Sequence, residues 1–177
     1  MNYYAIIVGG GSGSRMQSDI PKQFLLLDGK PVIMHTIEAF YHSDFHPHII
    51  VVLNKDFHKY WEQLCADYNF IIPHILIKGG ENRFYSVRNG LEATREGGIV
   101  AIHDAVRPII SNQLITGSFK QAETDGNAVT VIPSKDSVRQ VVGNISIALN
   151  RNDIYLVQTP QTFKNDLLKK AYEQPYE

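Results

Sequence analysis

At 177 residues the chain is long enough for one domain with a sizeable core, and 17 basic against 18 acidic side chains leave a formal net charge of −1. That balance, with 44% hydrophobic and 20% charged residues, describes an ordinary globular protein and supplies no basic excess for a nucleic-acid backbone. A single cysteine, Cys65, excludes an internal disulfide and a multi-cysteine zinc site. The start, MNYYAIIVGGG, lacks the basic flank of a signal peptide, and no segment has the length of a membrane span, so the cytoplasm is the expected compartment.

Short apolar runs then alternate with helical patterns. Residues 5–8 form a continuous apolar run that stops at glycines, as a buried strand does. From Pro31 a helical stretch places Ile33, Ile37, Phe40 and Tyr41 on one face. A strand is expected at 49–53, a helix at 57–68, and a strand at 71–77 that Pro73 pushes towards a sheet edge. A helix follows at 86–95 and a strand at 99–102. Ser111 is a plausible N-cap for a helix that carries Ile115, Phe119 and Ala122 on one face and stops at Gly126. A strand at 128–132 comes next. Segments 137–142 and 145–150 are β-prone and separated by Gly143-Asn144, a two-residue hairpin signal. The segment 165–172 reads as helix. This order argues for a single α/β domain over 1–177, with a mainly parallel sheet, helices on both faces, and a projecting β-hairpin arm at about 135–158. Such an arm needs a surface against which to bury its apolar face, and a second subunit is the natural candidate.

The first strand runs into Gly9-Gly10-Gly11-Ser12-Gly13-Ser14-Arg15. Ligands of open α/β sheets bind beyond the carboxyl ends of the strands, and successive backbone N–H groups of a glycine-rich loop can cradle phosphate. A plain turn explains one or two glycines but not four in five positions. The loop is neither a dinucleotide fingerprint, because Ser14 and Met16 stand where the last glycine is needed, nor a Walker A loop, because no Gly-Lys-Ser/Thr follows. Arg15 and Lys22, beside Pro21 and Gln23, add two permanent cations to it. Further on, His103-Asp104-Ala105-Val106-Arg107-Pro108 follows an apolar strand. Asp104 at its carboxyl end can hold ribose hydroxyls, a divalent metal or both, or can brace the loop as an ion pair with Arg107. His42 and His46 have helical i,i+4 spacing, but Pro47 and the missing glutamate argue against a zinc site.

GGGSGSRM followed by PKQFL resembles the nucleotide-binding signature of the sugar-phosphate cytidylyltransferases. The nearest likeness is to the 2-C-methyl-D-erythritol 4-phosphate cytidylyltransferase family of isoprenoid precursor synthesis, with ribitol-5-phosphate cytidylyltransferases sharing the signature. The blocks GGENRFYSVRNGL (79–91), HDAVRP (103–108), NRN (150–152) and QTPQ (158–161) carry the resemblance in order along nearly the whole chain. It implies a Rossmann-like fold and transfer of CMP from CTP to a sugar- or polyol-phosphate with release of pyrophosphate and with Mg²⁺ as cofactor. CTP contacts fall on Gly9, Gly10, Gly11, Gly13, Gly80, Glu81, Arg83, Ser86, Asp104 and Ala105, with Gly80, Glu81 and Ser86 lining the cytosine pocket. By the resemblance, Arg15, Lys22 and Arg151 would be the catalytic cations, Arg107, Ser137 and Thr159 would meet the acceptor, and Asp104 would be the metal ligand. The resemblance also implies a homodimer in which the arm carries Arg151 to the neighbouring subunit's site. No nucleic-acid or membrane partner is expected.

The sequence departs from the family pattern in two places. The family loop opens Ala-Ala-Gly or Ala-Gly-Gly, where this chain has Gly9-Gly10-Gly11. The family's C-terminal lysine and acidic metal-site residue have no counterpart after Ala171. Two alternatives stay open at this point, ribitol 5-phosphate as acceptor and a nucleotide-binding domain without catalysis. The stretch Ser86-Val87-Arg88-Asn89-Gly90-Leu91 favours methylerythritol phosphate.

Overall fold

The computed structural model of the protein describes residues 1–9 and 20–174. In chain order the elements are β1 (Tyr3–Gly9), β2 (Leu26–Leu27), β3 (Lys30–Pro31), α1 (Val32–Tyr41), β4 (His48–Leu53), α2 (His58–Asp67), β5 (His74–Lys78), α3 (Arg83–Glu92), β6 (Ile99–Asp104), α4 (Asn112–Asp125), β7 (Asn127–Pro133), β8 (Val138–Val142), β9 (Ile145–Leu149), β10 (Tyr155–Lys164) and α5 (Asn165–Tyr172). The main sheet has the order β5-β4-β1-β6-β10-β7. Strands β5, β4, β1 and β6 are parallel neighbours, while β10 runs antiparallel between β6 and β7.

Alternation along the strands explains the two layers of helices. Ala5, Ile7, Ile49, Val51 and Leu53 face one side, where they pack with Ile33, Ile37 and Phe40 of α1, Trp61 of α2 and Ile115 and Phe119 of α4. Tyr4, Ile6, Ile50, Val52, Val100 and Ile102 face the other, against Val87 and Leu91 of α3 and Leu168 of α5. Both faces of the parallel strands are apolar, as a doubly covered sheet requires. Gly90 lets α3 approach closely, since a Cβ there would lie 2.8 Å from Ile6 Cγ2.

Local signals account for several boundaries. The Ser111 side chain caps α4 by accepting from the Leu114 N–H, and Gly126 closes that helix at φ 92°. Pro73 precedes β5, which is the sheet edge. Helix α3 starts at Arg83, ahead of the expected Ser86, because Asn82 caps it through the Tyr85 N–H. Among the described residues, strands β8 and β9 pair only with each other, and Gly143 turns between them at φ 58°. Val141, Val142, Ile145 and Ile147 of this arm are exposed.

One strand was not anticipated. Residues 155–158 are expected within the arm and Pro160 interrupts the run after them, yet β10 belongs to the main sheet and fills the gap between β6 and β7, so the arm is confined to β8, β9 and the residues flanking them. Its register slips between Val157 and Gln161, which is how the strand accommodates a proline at its centre. Among the described residues no helix is long and apolar enough to cross a membrane.

Candidate active site

The carboxyl ends of β1, β4, β5 and β6 bring together Gly9, Leu53, Lys78 and Asp104. Their packing leaves no room for larger residues at the first of these. A Cβ on Gly9 would lie 2.8 Å from Leu53 Cδ2 and 3.2 Å from Ala105 Cβ. Buried Gln23 donates to the Gly9 carbonyl at 2.9 Å, so the 3-10 turn Lys22–Phe24 is tied to the end of β1. Phe24 anchors that turn among Phe57, Tyr60 and Trp61, while the Lys22 side chain stays exposed. Ala105 is fully buried. Its N–H donates to the Val8 carbonyl at 2.9 Å, and its carbonyl accepts from the Thr36 hydroxyl at 2.9 Å. Gly10, Gly11, Gly13 and Arg15 lie outside the described residues.

The second block folds as a tight turn onto the N-terminus of α3. The Gly79 N–H donates to the Leu53 carbonyl at 2.7 Å, and Asn89 donates from its side chain to the Lys78 carbonyl at 2.9 Å. The Gly80 N–H donates to Ser86 Oγ at 3.0 Å, and that hydroxyl donates in turn to the Asn82 carbonyl at 2.8 Å. Ser86 is therefore buried and braces the turn, whereas Glu81 is exposed at its tip.

Asp104 is the electrostatic centre. Its Oδ2 accepts from Arg107 Nε at 2.9 Å and its Oδ1 from Arg83 Nε at 3.4 Å, so both carboxylate oxygens face guanidinium groups. Arg107 also donates from Nη1 to Gln158 Oε1. The Asp104 N–H meets Thr159 Oγ1 at 3.4 Å, and Thr159 is nearly buried. Behind the carboxylate, buried His103 touches the Arg107 carbonyl through Nε2 at 3.0 Å and packs on Phe40 at 4.9 Å. Burial pushes its pKa below the ordinary histidine value. A carbonyl only accepts, so the neutral ring carries its proton on Nε2, and Nδ1 is left without a partner.

Ser137 and Arg151 lie elsewhere, at the base of the arm. Both are exposed, and Arg151 donates from Nη1 to the Lys135 carbonyl at 3.3 Å. No bond among the described residues joins either of them to the Asp104 cluster. Sequence reasoning assigned no part to Gln23, Thr36, Asn89, His103 or Gln158. Four of these five stand inside the quoted motifs: Gln23 and Gln158 act through contacts between segments that spacing along the chain does not reveal, while His103 and Asn89 reach backbone carbonyls 4 and 11 residues away. Thr36 sits within the first helix, where an i−4 backbone contact is the only expectation.

The described edge groups two guanidiniums around one carboxylate, beside a tight turn whose Gly79 and Gly80 N–H groups are bonded within the protein. For a divalent cation the edge offers Asp104, whose two oxygens face Arg107 and Arg83 in this structure. One carboxylate is available, and no group of three or more His, Cys, Asp or Glu side chains that could hold a metal occurs among the described residues.

A sequence profile described as 2-C-methyl-D-erythritol 4-phosphate cytidylyltransferase (IspD) matches residues 3–177. The enzyme of that name from Azobacteroides pseudotrichonymphae is 51% identical over 170 residues, covering 96% of this chain and 77% of the relative. That from Phocaeicola vulgatus is 48% identical over 176 residues, covering 99% and 80%. Among solved structures, the Anaerococcus prevotii 4-diphosphocytidyl-2C-methyl-D-erythritol synthase superimposes with a TM-score of 0.82 at 26% identity, covering 99% of this chain and 77% of that one. The Francisella tularensis 2-C-methyl-D-erythritol 4-phosphate cytidylyltransferase gives 0.78 at 30% identity, with 98% and 77% covered. With a profile match over residues 3–177, relatives at 51% and 48% identity and solved structures of the same fold, the chain belongs to the 2-C-methyl-D-erythritol 4-phosphate cytidylyltransferase family.

Proposed function

We infer that the protein transfers CMP from CTP to 2-C-methyl-D-erythritol 4-phosphate and releases pyrophosphate. The observation that carries this reading is the near-complete match to relatives of that activity, at 51% and 48% identity, with every described motif at the carboxyl edge of the sheet or at the base of the arm.

An oxygen of the acceptor's phosphate attacks the α-phosphorus of CTP, and the bond from that phosphorus to the bridging oxygen of the β-phosphate breaks. The pair of electrons leaves with pyrophosphate. A phosphate monoester is largely dianionic near neutral pH, so the nucleophile needs no general base. Catalysis then rests on alignment and charge stabilisation. In this reading Lys22 and Arg15 meet the negative charge that shifts between the α-phosphate and the leaving group. The turn held by Ser86 and Asn89 presents backbone groups to the cytosine edge, and Arg107 reads the acceptor's phosphate.

Asp104 would hold Mg²⁺ together with the triphosphate, and the ion would supply Lewis-acid charge neutralisation there. For Asp104 to take that role, Arg83 and Arg107 must turn from the carboxylate to phosphate oxygens. Arg151, Ser137 and the exposed apolar face of the arm fit a homodimer in which each arm completes the other subunit's site. The proposed compartment is the cytoplasm.

The test is pyrophosphate release by the purified protein from CTP with 2-C-methyl-D-erythritol 4-phosphate and Mg²⁺. Release that needs all three supports the reading. Release with CTP alone, or none with any polyol phosphate, counts against it.

A further inference from the structure

Successive side chains of a regular strand point to opposite faces of the sheet. Gln158 and Thr159 are consecutive in β10, yet both reach the same loop: Thr159 Oγ1 to the Asp104 N–H, and Gln158 Oε1 to Arg107 Nη1. The break in register between Val157 and Gln161 makes this arrangement achievable. A bulge of this kind beside a site commonly re-aims a side chain.

Arg107 is thereby held at three points. Its Nε binds Asp104 at 2.9 Å, its Nη1 binds Gln158, and its carbonyl is fixed by His103 at 3.0 Å. Two of the five guanidinium N–H groups are engaged, and the Nη2 pair points to no partner among the described residues. If Asp104 turns to a cation, the Gln158 contact is the side-chain anchor that remains. A neutral amide suits that task, because it orients the guanidinium without neutralising it.

We propose that Gln158 is a positioning residue for the acceptor, holding the Arg107 guanidinium in place for the acceptor's phosphate. The inference rests on the reading of Arg107 as the acceptor-phosphate ligand, and its test separates the two. Steady-state KM values for 2-C-methyl-D-erythritol 4-phosphate and for CTP are measured on the purified protein and on Gln158→Met, Arg107→Ala and the double variant. Methionine matches glutamine in length and lacks the oxygen. Loss of a hydrogen bond to a charged group raises the acceptor KM about tenfold in Gln158→Met, with the KM for CTP unchanged. Gln158→Glu keeps an oxygen at Arg107 but adds a charge that repels phosphate, and raises the acceptor KM further.

In the Arg107→Ala background Gln158→Met has no additional effect, because the group it positions is gone. Equal effects of Gln158→Met in both backgrounds, an unchanged acceptor KM in Gln158→Met, or matching rises in both substrates' KM values would each overturn the proposal. An acceptor KM that Arg107→Ala leaves unchanged removes the reading of Arg107 itself, and this inference with it.

Discussion

Gly80→Ala is the most informative single substitution in the proposed nucleotide site. A Cβ at Gly80 would lie 2.3 Å from Tyr85 Cβ, 2.8 Å from the Tyr85 carbonyl carbon and 3.0 Å from the Ser86 nitrogen. None of these atoms is the end of a flexible side chain, so the turn and the first turn of α3 must separate by about 1 Å to reach ordinary contact. Overpacking of this kind costs about 1–3 kcal/mol. For a chain of this size that lowers Tm by about 2–12 °C. The same movement breaks the Gly80–Ser86–Asn82 relay, and an ångström-scale shift in a positioned site can cost about 10²-fold in turnover. The KM for CTP should rise about tenfold or more.

Gly117→Ala is the matched control. It lies inside α4 with no atom within 4 Å of the added Cβ, so helix propensity should stabilise it by about 0.5–1 kcal/mol and leave CTP kinetics alone. Thermal unfolding and CTP titration of both variants decide the matter. A Gly80→Ala protein with wild-type Tm and wild-type KM for CTP would refute the reasoning.

Lys22→Ala and Arg15→Ala should each lower kcat by about 10²- to 10³-fold, with a smaller change in the KM for CTP, and turnover assays of both variants check this. Thr36→Val leaves the buried Ala105 carbonyl without its 2.9 Å donor and should cost about 1–3 kcal/mol in chemical denaturation. The hydrogen bond from the Tyr3 hydroxyl to Glu123, with burial and the carboxylate's charge, pushes the Tyr3 pKa up to about 12. A raised folded pKa means stability that is fully present below pH 10 and is lost as pH rises through about 12. Tyr3→Phe should therefore flatten the decline in that window, read from denaturation midpoints against pH. On the acid side, hydrogen bonds from Asn112 and Thr116 hold the Asp44 carboxyl below its usual value of 3.8. Its contribution is present above that pH and is lost as pH falls through the folded pKa, so the gap between the wild type and Asp44→Ala should close in acid.

Elements whose signal is local were legible in the sequence. The apolar run ending at Gly9, the Ser111 cap, the Gly126 stop and the Gly143-Asn144 turn each depend on a few adjacent residues, and each is found where expected. Strand β10 depends instead on a gap left by its neighbours, and Pro160 at its centre masks the pattern. The site divides the same way. Asp104, Arg107 and Gly80 stand in recognisable strings, and Asp104 lies at the carboxyl end of its strand as expected. The braces, Gln23 on Gly9, Thr36 on Ala105 and Gln158 on Arg107, join residues 14, 69 and 51 positions apart. Contacts at those separations follow from strand order, and strand order is what a single sequence states least directly.

The central claim, that this chain makes a cytidine diphosphate ester of methylerythritol, is tested most directly by pyrophosphate release with CTP and Mg²⁺, offering 2-C-methyl-D-erythritol 4-phosphate and ribitol 5-phosphate in separate reactions. The account predicts release with the first that is far faster than with the second, and a product that carries both CMP and the branched polyol. Faster release with ribitol 5-phosphate, or equal release when ATP replaces CTP, would contradict it.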